Sequence, residues 1–140
     1  MMSQYVLDTS ALLAYIENED GASEVERVLM ETLDGHHTLF VSVVSYIEVF
    51  YISLREQGQR VATERLQLLN ALPLQQELLK EQSIVPIGEL KASHTMSLAD
   101  CCIAGLAKQQ QAILLHKDPE FEQLAHEIIQ QKLPYKTNIP

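Results

Sequence analysis

Cysteine is nearly absent from this sequence: there are two, Cys101 and Cys102, and they are neighbours. Adjacent cysteines are poorly placed for an ordinary disulfide. A disulfide-stapled secreted scaffold is therefore excluded, and both read as small buried hydrophobes of a reducing compartment. No stretch is apolar for the roughly 20 residues that a membrane span needs. The most apolar run, Thr38 to Leu54, is interrupted by Glu48. Met1-Met2-Ser3-Gln4 lacks the charged and apolar regions of a signal peptide, so the expected compartment is the cytoplasm. Low-complexity tracts, linkers and internal repeats are missing too, and residues 1–140 read as a single domain. Several catalytic signatures are also lacking. There is no G-x-S-x-G and no phosphate loop. The five histidines (36, 37, 94, 116 and 126) show no metal-ligand spacing. Cys101 has no base beside it in sequence, which leaves it to the core.

Basic residues are scarce where the chain begins. Residues 1–54 carry nine acids and one base, Arg27, whereas residues 55–140 carry ten acids and nine bases. The overall charge of −9 argues against a nucleic-acid partner, but the asymmetry permits one phosphate-facing side once acids in the second half are neutralised by a metal. The acids between Glu17 and Asp34 also read as the solvated face of a helix.

What is present alternates between strand and helix signals. Tyr5-Val6-Leu7 is a short buried strand. Asp8-Thr9-Ser10 supplies N-cap residues for a helix through Ile16, and Asn18 to Gly21 is a turn. Ser23 to Leu33 is amphipathic. A second strand covers Leu39 to Val43. Helices over Ser45 to Glu56 and Arg60 to Asn70 are separated by Gly58. The third strand is placed at Leu72 to Gln75, with a helix bent by Pro86 after it; a strand at Ser83 to Ile87 is the alternative. A helix covers Ser97 to Lys108 and a strand Ala112 to Leu115. Pro119 at a first helical position starts a helix to Gln131, and Leu133 to Lys136 is a short last strand. The fold class expected is α/β, with helices on both faces of a central parallel sheet of four to five strands.

Three carboxylates stand alone in this pattern, and Asp118 is a fourth candidate. Asp8 is the only charge from Tyr5 to Ile16, Glu48 the only one from Val41 to Leu54, and Asp100 the only one from Ala92 to Ala107. Asp118 follows the Ile113-Leu114-Leu115 strand. None has a basic residue three or four positions away, where a helix would pair it. An uncompensated buried carboxylate is costly, so each needs a distant partner. A shared divalent cation satisfies all four at once. In a parallel sheet the carboxyl ends of the strands share one edge, where ligands bind, and oxygen ligands without Cys or His suit Mg²⁺ or Mn²⁺. Each acid also has a simpler explanation. Ser45-x-x-Glu48 and Ser97-x-x-Asp100 have the form of capping boxes, Asp118-Pro119 that of an N-cap, and Asp8 is placed to cap its own helix. Together these explanations weaken, because caps do not require apolar surroundings.

Val6-Leu-Asp-Thr-Ser-Ala-Leu-Leu, Ser45-Tyr-Ile-Glu-Val, Ser97-Leu-Ala-Asp and His116-Lys-Asp-Pro-Glu-Phe121 resemble, in order, the four signature blocks of PIN domains. The chain most resembles the VapC-type toxin ribonucleases of VapBC toxin–antitoxin pairs, from Tyr5 to about Phe121. The resemblance implies a PIN-like three-layer α/β/α fold and an acidic quartet of Asp8, Glu48, Asp100 and Asp118, with Asp8 and Asp100 as core metal ligands. It also implies a homodimer and a small antitoxin that blocks the cleft. Where some relatives have a second Asp before the Phe, this chain has Glu120, which is left outside the site. The expected activity is Mg²⁺-dependent endoribonucleolytic hydrolysis of RNA. Thr9, Lys91, Lys108 and Lys117 are candidate substrate contacts. Two rivals stand beside it. One is a PIN fold that only binds a partner. The other is a receiver domain accepting a phosphoryl group on Asp8, with Lys117 as its strand-end lysine.

Overall fold

The first strand, β1 (Ser3–Leu7), becomes the centre of the sheet because Val6 and Leu7 are wholly buried and both of its edges are paired. The computed structural model describes residues 3–136. After β1 come α1 (Thr9–Ile16), α2 (Ala22–Leu33), β2 (His37–Ser42), α3 (Val43–Gln57), α4 (Gln59–Ala71) and β3 (Gln75–Glu77). Then follow α5 (Ile84–Ser93), α6 (Leu98–Gln110), β4 (Ile113–His116), a 3₁₀ segment (Pro119–Leu124) and β5 (Gln130–Lys132). All five strands are parallel, in the order β3-β2-β1-β4-β5. Among the described residues no helix is long and apolar enough to cross a membrane.

The period of two along a strand divides the interior into two layers. Tyr5, Leu7, Leu39, Val41 and Leu115 join Leu12, Val25, Val28, Tyr46 and Leu69 from α1 to α4. Val6, Phe40 and Leu114 join Leu90, Ile103, Ala104, Phe121 and Leu124 on the other side. The result is the three-layer α/β/α arrangement expected. Gly58 separates α3 from α4 at φ +89°, a backbone conformation that glycine alone adopts cheaply.

Four elements differ from expectation. β3 lies at Gln75–Glu77 and overlaps the expected Leu72 to Gln75 only at its first residue. Leu72 and Leu74 pack on the core instead, while the polar Gln-Gln-Glu edge pairs with β2. Ser83 to Ile87 forms no strand. Pro86 sits in the first turn of α5, where its missing N–H costs no intrahelical hydrogen bond. α3 starts at Val43, two residues early, and is capped by the Ser42 hydroxyl, so Ser45-x-x-Glu48 is not a capping box. The expected helix from Pro119 to Gln131 is only the 3₁₀ segment, and the last strand is Gln130–Lys132, not Leu133 to Lys136. Burial of Phe121, Leu124 and Ile128, together with pairing along the exposed edge of β4, outweighs helix propensity here.

Candidate metal centre

The sheet reverses its winding direction between β1 and β4, and the crevice beyond their carboxyl ends is where an open α/β sheet binds ligands. Asp8 follows β1 directly and is the N-cap of α1: it accepts the Ala11 amide at 3.0 Å. Asp118, two residues past β4, caps the 3₁₀ segment by accepting the Glu120 amide at 2.9 Å. Its own N–H donates to His116 Nδ1 at 3.1 Å. The buried His116 ring faces Gln130 Oε1 at 2.8 Å through Nε2, and Gln130 in turn donates to the Phe121 carbonyl at 2.7 Å. Burial holds His116 below its ordinary pKa, so the ring is neutral, with Nε2–H donating and Nδ1 accepting. The corner carrying Asp118 is thus fixed from both sides.

Asp100 lies in the first turn of α6, where the Ser97 hydroxyl accepts its amide at 3.1 Å. The loop before α6 is pinned to the 3₁₀ segment by a reciprocal pair. Thr95 N–H donates to Gln123 Oε1, and Gln123 Nε2 donates to the Thr95 carbonyl, both at 3.1 Å. That pairing brings α6 to Pro119–Leu124, and with it Asp100 to Asp118 and Glu120. These three acids offer carboxylate oxygens all within 4.8 Å of one another. Glu120, which sequence reasoning left out, is therefore part of the cluster. The signal available was its position two residues after Asp118, which in a 3₁₀ cap turns both carboxylates toward the same crevice.

Charge crowding marks the site. Burial, above all, holds the Asp8 carboxyl up at about 7; hydrogen bonds from Ser10 and Ala11 oppose the shift, and the Asp118 charge adds to it. Asp100 is raised further still, by burial, then by hydrogen bonds shared with Glu120 and Asp118 and by the charges of Asp118 and Asp8. Glu48 stands one step outside. It accepts the Thr9 hydroxyl at 2.6 Å, and Thr9 lies 3.1 Å from the buried Ser45 hydroxyl, which ties α3 to the start of α1. Among the described residues no Lys or Arg forms an ion pair with Asp8, Glu48, Asp100, Asp118 or Glu120.

The candidate lysines separate. Lys91 is exposed, donates to the Met96 carbonyl at 2.7 Å, and lines an open cleft of 580 Å³ with His94, Ser97 and Glu120. A second cleft of 270 Å³, lined by Ser10, Leu13, Lys117, Asp118, Pro119 and Tyr135, lies on the Asp118 side. Lys108 is not brought to the cluster. It pairs with Glu127 at 3.0 Å, and eight residues of helix carry it about 12 Å along α6 from Asp100. Lys117 is buried and its ammonium donates to the Asp20 carbonyl at 2.8 Å, which removes it as a phosphate contact. The same engagement leaves the receiver reading without its lysine.

The PIN domain family pattern matches residues 5–127. The chain belongs to the PIN domain family. No curated protein matches it by sequence. Solved structures share its fold. VapBC2 from Rickettsia felis, bound to a promoter DNA fragment, superposes with a TM-score of 0.75 at 18% identity over 94% of this chain and 99% of that one. DNA-bound VapBC from Salmonella typhimurium gives 0.72 at 16% over 94% and 98%. Mycobacterium tuberculosis VapC20, described as a Sarcin-Ricin loop cleaving toxin, gives 0.69 at 14% over 89% and 96%. This PIN domain therefore shares a chain fold with toxins of toxin–antitoxin complexes, and its acids gather at the switch point of that fold.

The donor set fits a hard divalent cation. It is made of carboxylate oxygens, the neutral His116 has both ring nitrogens engaged, and burial holds the Cys101 and Cys102 thiols protonated.

Proposed function

We propose that this protein is a Mg²⁺-dependent endoribonuclease (Mn²⁺ being able to replace Mg²⁺) and the toxin of a type II toxin–antitoxin pair. The observation that carries the reading is a set of carboxylates crowded in one crevice with no Lys or Arg paired to them among the described residues, an arrangement that a divalent cation relieves. Asp100, Asp118 and Glu120, with Asp8 beside them, hold the cation. A cation bound there supplies activation of water and stabilisation of charge on the scissile phosphate. Glu48, which accepts the Thr9 hydroxyl one step outside the cluster, would orient the water. No imidazole pair is offered for attack by a ribose 2′-hydroxyl, so hydrolysis leaves a 5′-phosphate and a 3′-hydroxyl. The open cleft carrying Lys91 and Glu120 receives the RNA strand.

The partners proposed are RNA, a small antitoxin that occludes the crevice, and a second copy of the chain; the compartment is the cytoplasm. The fold shared with VapC chains supports the antitoxin. The test is cleavage of a structured RNA with Mg²⁺ against EDTA, using wild-type protein and Asp8→Asn and Asp100→Asn. Cutting by wild type that EDTA abolishes, and that either substitution removes, is the expected result. Folded variants that still cut RNA with Mg²⁺ would overturn the proposal.

A further inference from the structure

Lys117 raises a question that the proposed chemistry does not absorb. It follows β4 directly and precedes Asp118, yet its side chain is only 4% exposed. Its Nζ donates to the Asp20 carbonyl at 2.8 Å and lies 3.6 Å from the Glu19 carboxylate, so it grips the turn between α1 and α2. Its main-chain N–H donates to the Ser10 hydroxyl at 2.8 Å. That hydroxyl in turn donates to the Asp8 carboxylate, 2.8 Å from each oxygen. One residue therefore holds the first turn of α1 and the turn that follows the helix, and a single serine hydroxyl joins it to Asp8. Burying an ammonium is costly, and an apolar side chain would fill the same space without that cost. What the ammonium adds is a fixed point beside Asp118.

We propose that Ser10 and Lys117 are positioning residues. They set the separation and orientation of the Asp8 and Asp118 carboxylates, and thereby the affinity of the cluster for its cation, without touching substrate. This rests on the reading of the cluster as a cation-dependent nuclease centre. Residues that orient carboxylate ligands from behind typically change metal affinity by about ten- to a hundredfold when removed.

The test uses metal-free full-length protein and the variants Ser10→Ala and Lys117→Met. Mn²⁺ binding is measured by calorimetry, and KM, kcat and salt dependence are measured for RNA cleavage. Each variant is expected to bind Mn²⁺ about tenfold more weakly. Its kcat should fall at limiting metal and recover at high metal, with KM for RNA and the salt slope unchanged. A Lys117→Met variant with wild-type Mn²⁺ affinity, a raised KM and a shallower salt slope would mean a direct phosphate contact and would overturn the proposal. So would variants that lose thermal stability alone. If Lys117→Met does not fold, Ser10→Ala decides by itself, and unchanged Mn²⁺ affinity in it overturns the clamp. Wild type that neither binds Mn²⁺ nor cuts RNA overturns the nuclease reading and this one together. Wild type that does both while the variants match it overturns the clamp alone.

Discussion

Removing the charge of Asp8 while keeping its shape, by Asp8→Asn, should make the metal-free protein more stable at neutral pH even as it removes activity. The carboxyl is 2% exposed and sits among other acids, which holds it at about 7 against an ordinary value of 3.8. In the unfolded chain Asp8 releases its proton near 3.8; in the native protein it keeps that proton until about 7. Between these values the native state binds more protons, so stability falls as pH rises and levels off above 7. A difference of about three pH units corresponds to a ceiling of about 4 kcal/mol at 1.36 kcal/mol per unit. Asn keeps an oxygen to accept the Ala11 amide and the Ser10 hydroxyl, and it caps a helix about as well as Asp. Its buried amide carries a polar cost of about 2 kcal/mol at every pH, so a net gain of about 2 kcal/mol is expected at pH 7.5, falling through zero to a net loss of about 2 kcal/mol near pH 4. The assay is urea unfolding of both proteins in EDTA from pH 4.5 to 8. Mg²⁺ at ten times its Kd should then raise wild type by about 1.4 kcal/mol and leave the variant almost unmoved. A variant less stable than wild type at pH 7.5 in EDTA, with a difference that does not change with pH, would refute the electrostatic argument.

Other consequences follow from the same geometry. Glu120→Gln should weaken Mn²⁺ binding at least tenfold by calorimetry while leaving the fold intact by circular dichroism, since the side chain is a cluster member and not a core residue. At limiting Mg²⁺, cleavage should rise with pH through about 7 and on toward about 9, by about tenfold per unit for each proton displaced, because the cation binds the deprotonated carboxylates of Asp8 and Asp100. Raising Mg²⁺ should move that rise to lower pH, as followed by initial rates. Phe121→Ala should cost about 3–5 kcal/mol in urea unfolding, because this fully buried ring packs edge-on against His116 at 5.0 Å and fills the layer beneath the acid-bearing corner.

Local pattern determined much of this protein. β1 with Asp8 behind it, α6 with Asp100 in its first turn, and β4 with Asp118 after it are all legible, because each joins a short apolar run to a capping residue within a few positions. The solitary charge in the Asp8 and Asp100 segments marked each as needing a distant partner, and that inference needs no coordinates. Tertiary structure decided the rest. β3 and β5 are polar Gln-rich edge strands with no hydrophobic period to reveal them; they exist because β2 and β4 offer unpaired backbone, which is a property of the assembled sheet. The segment after Asp118 reads as a helix, yet it is cut to a 3₁₀ turn because Phe121, Leu124 and Ile128 must meet one face of that sheet. That turn is what brings Glu120 to Asp100. The burial of Lys117 against the Asp20 carbonyl is likewise invisible along the chain, since the two are 97 residues apart and meet only because β1 and β4 are neighbours.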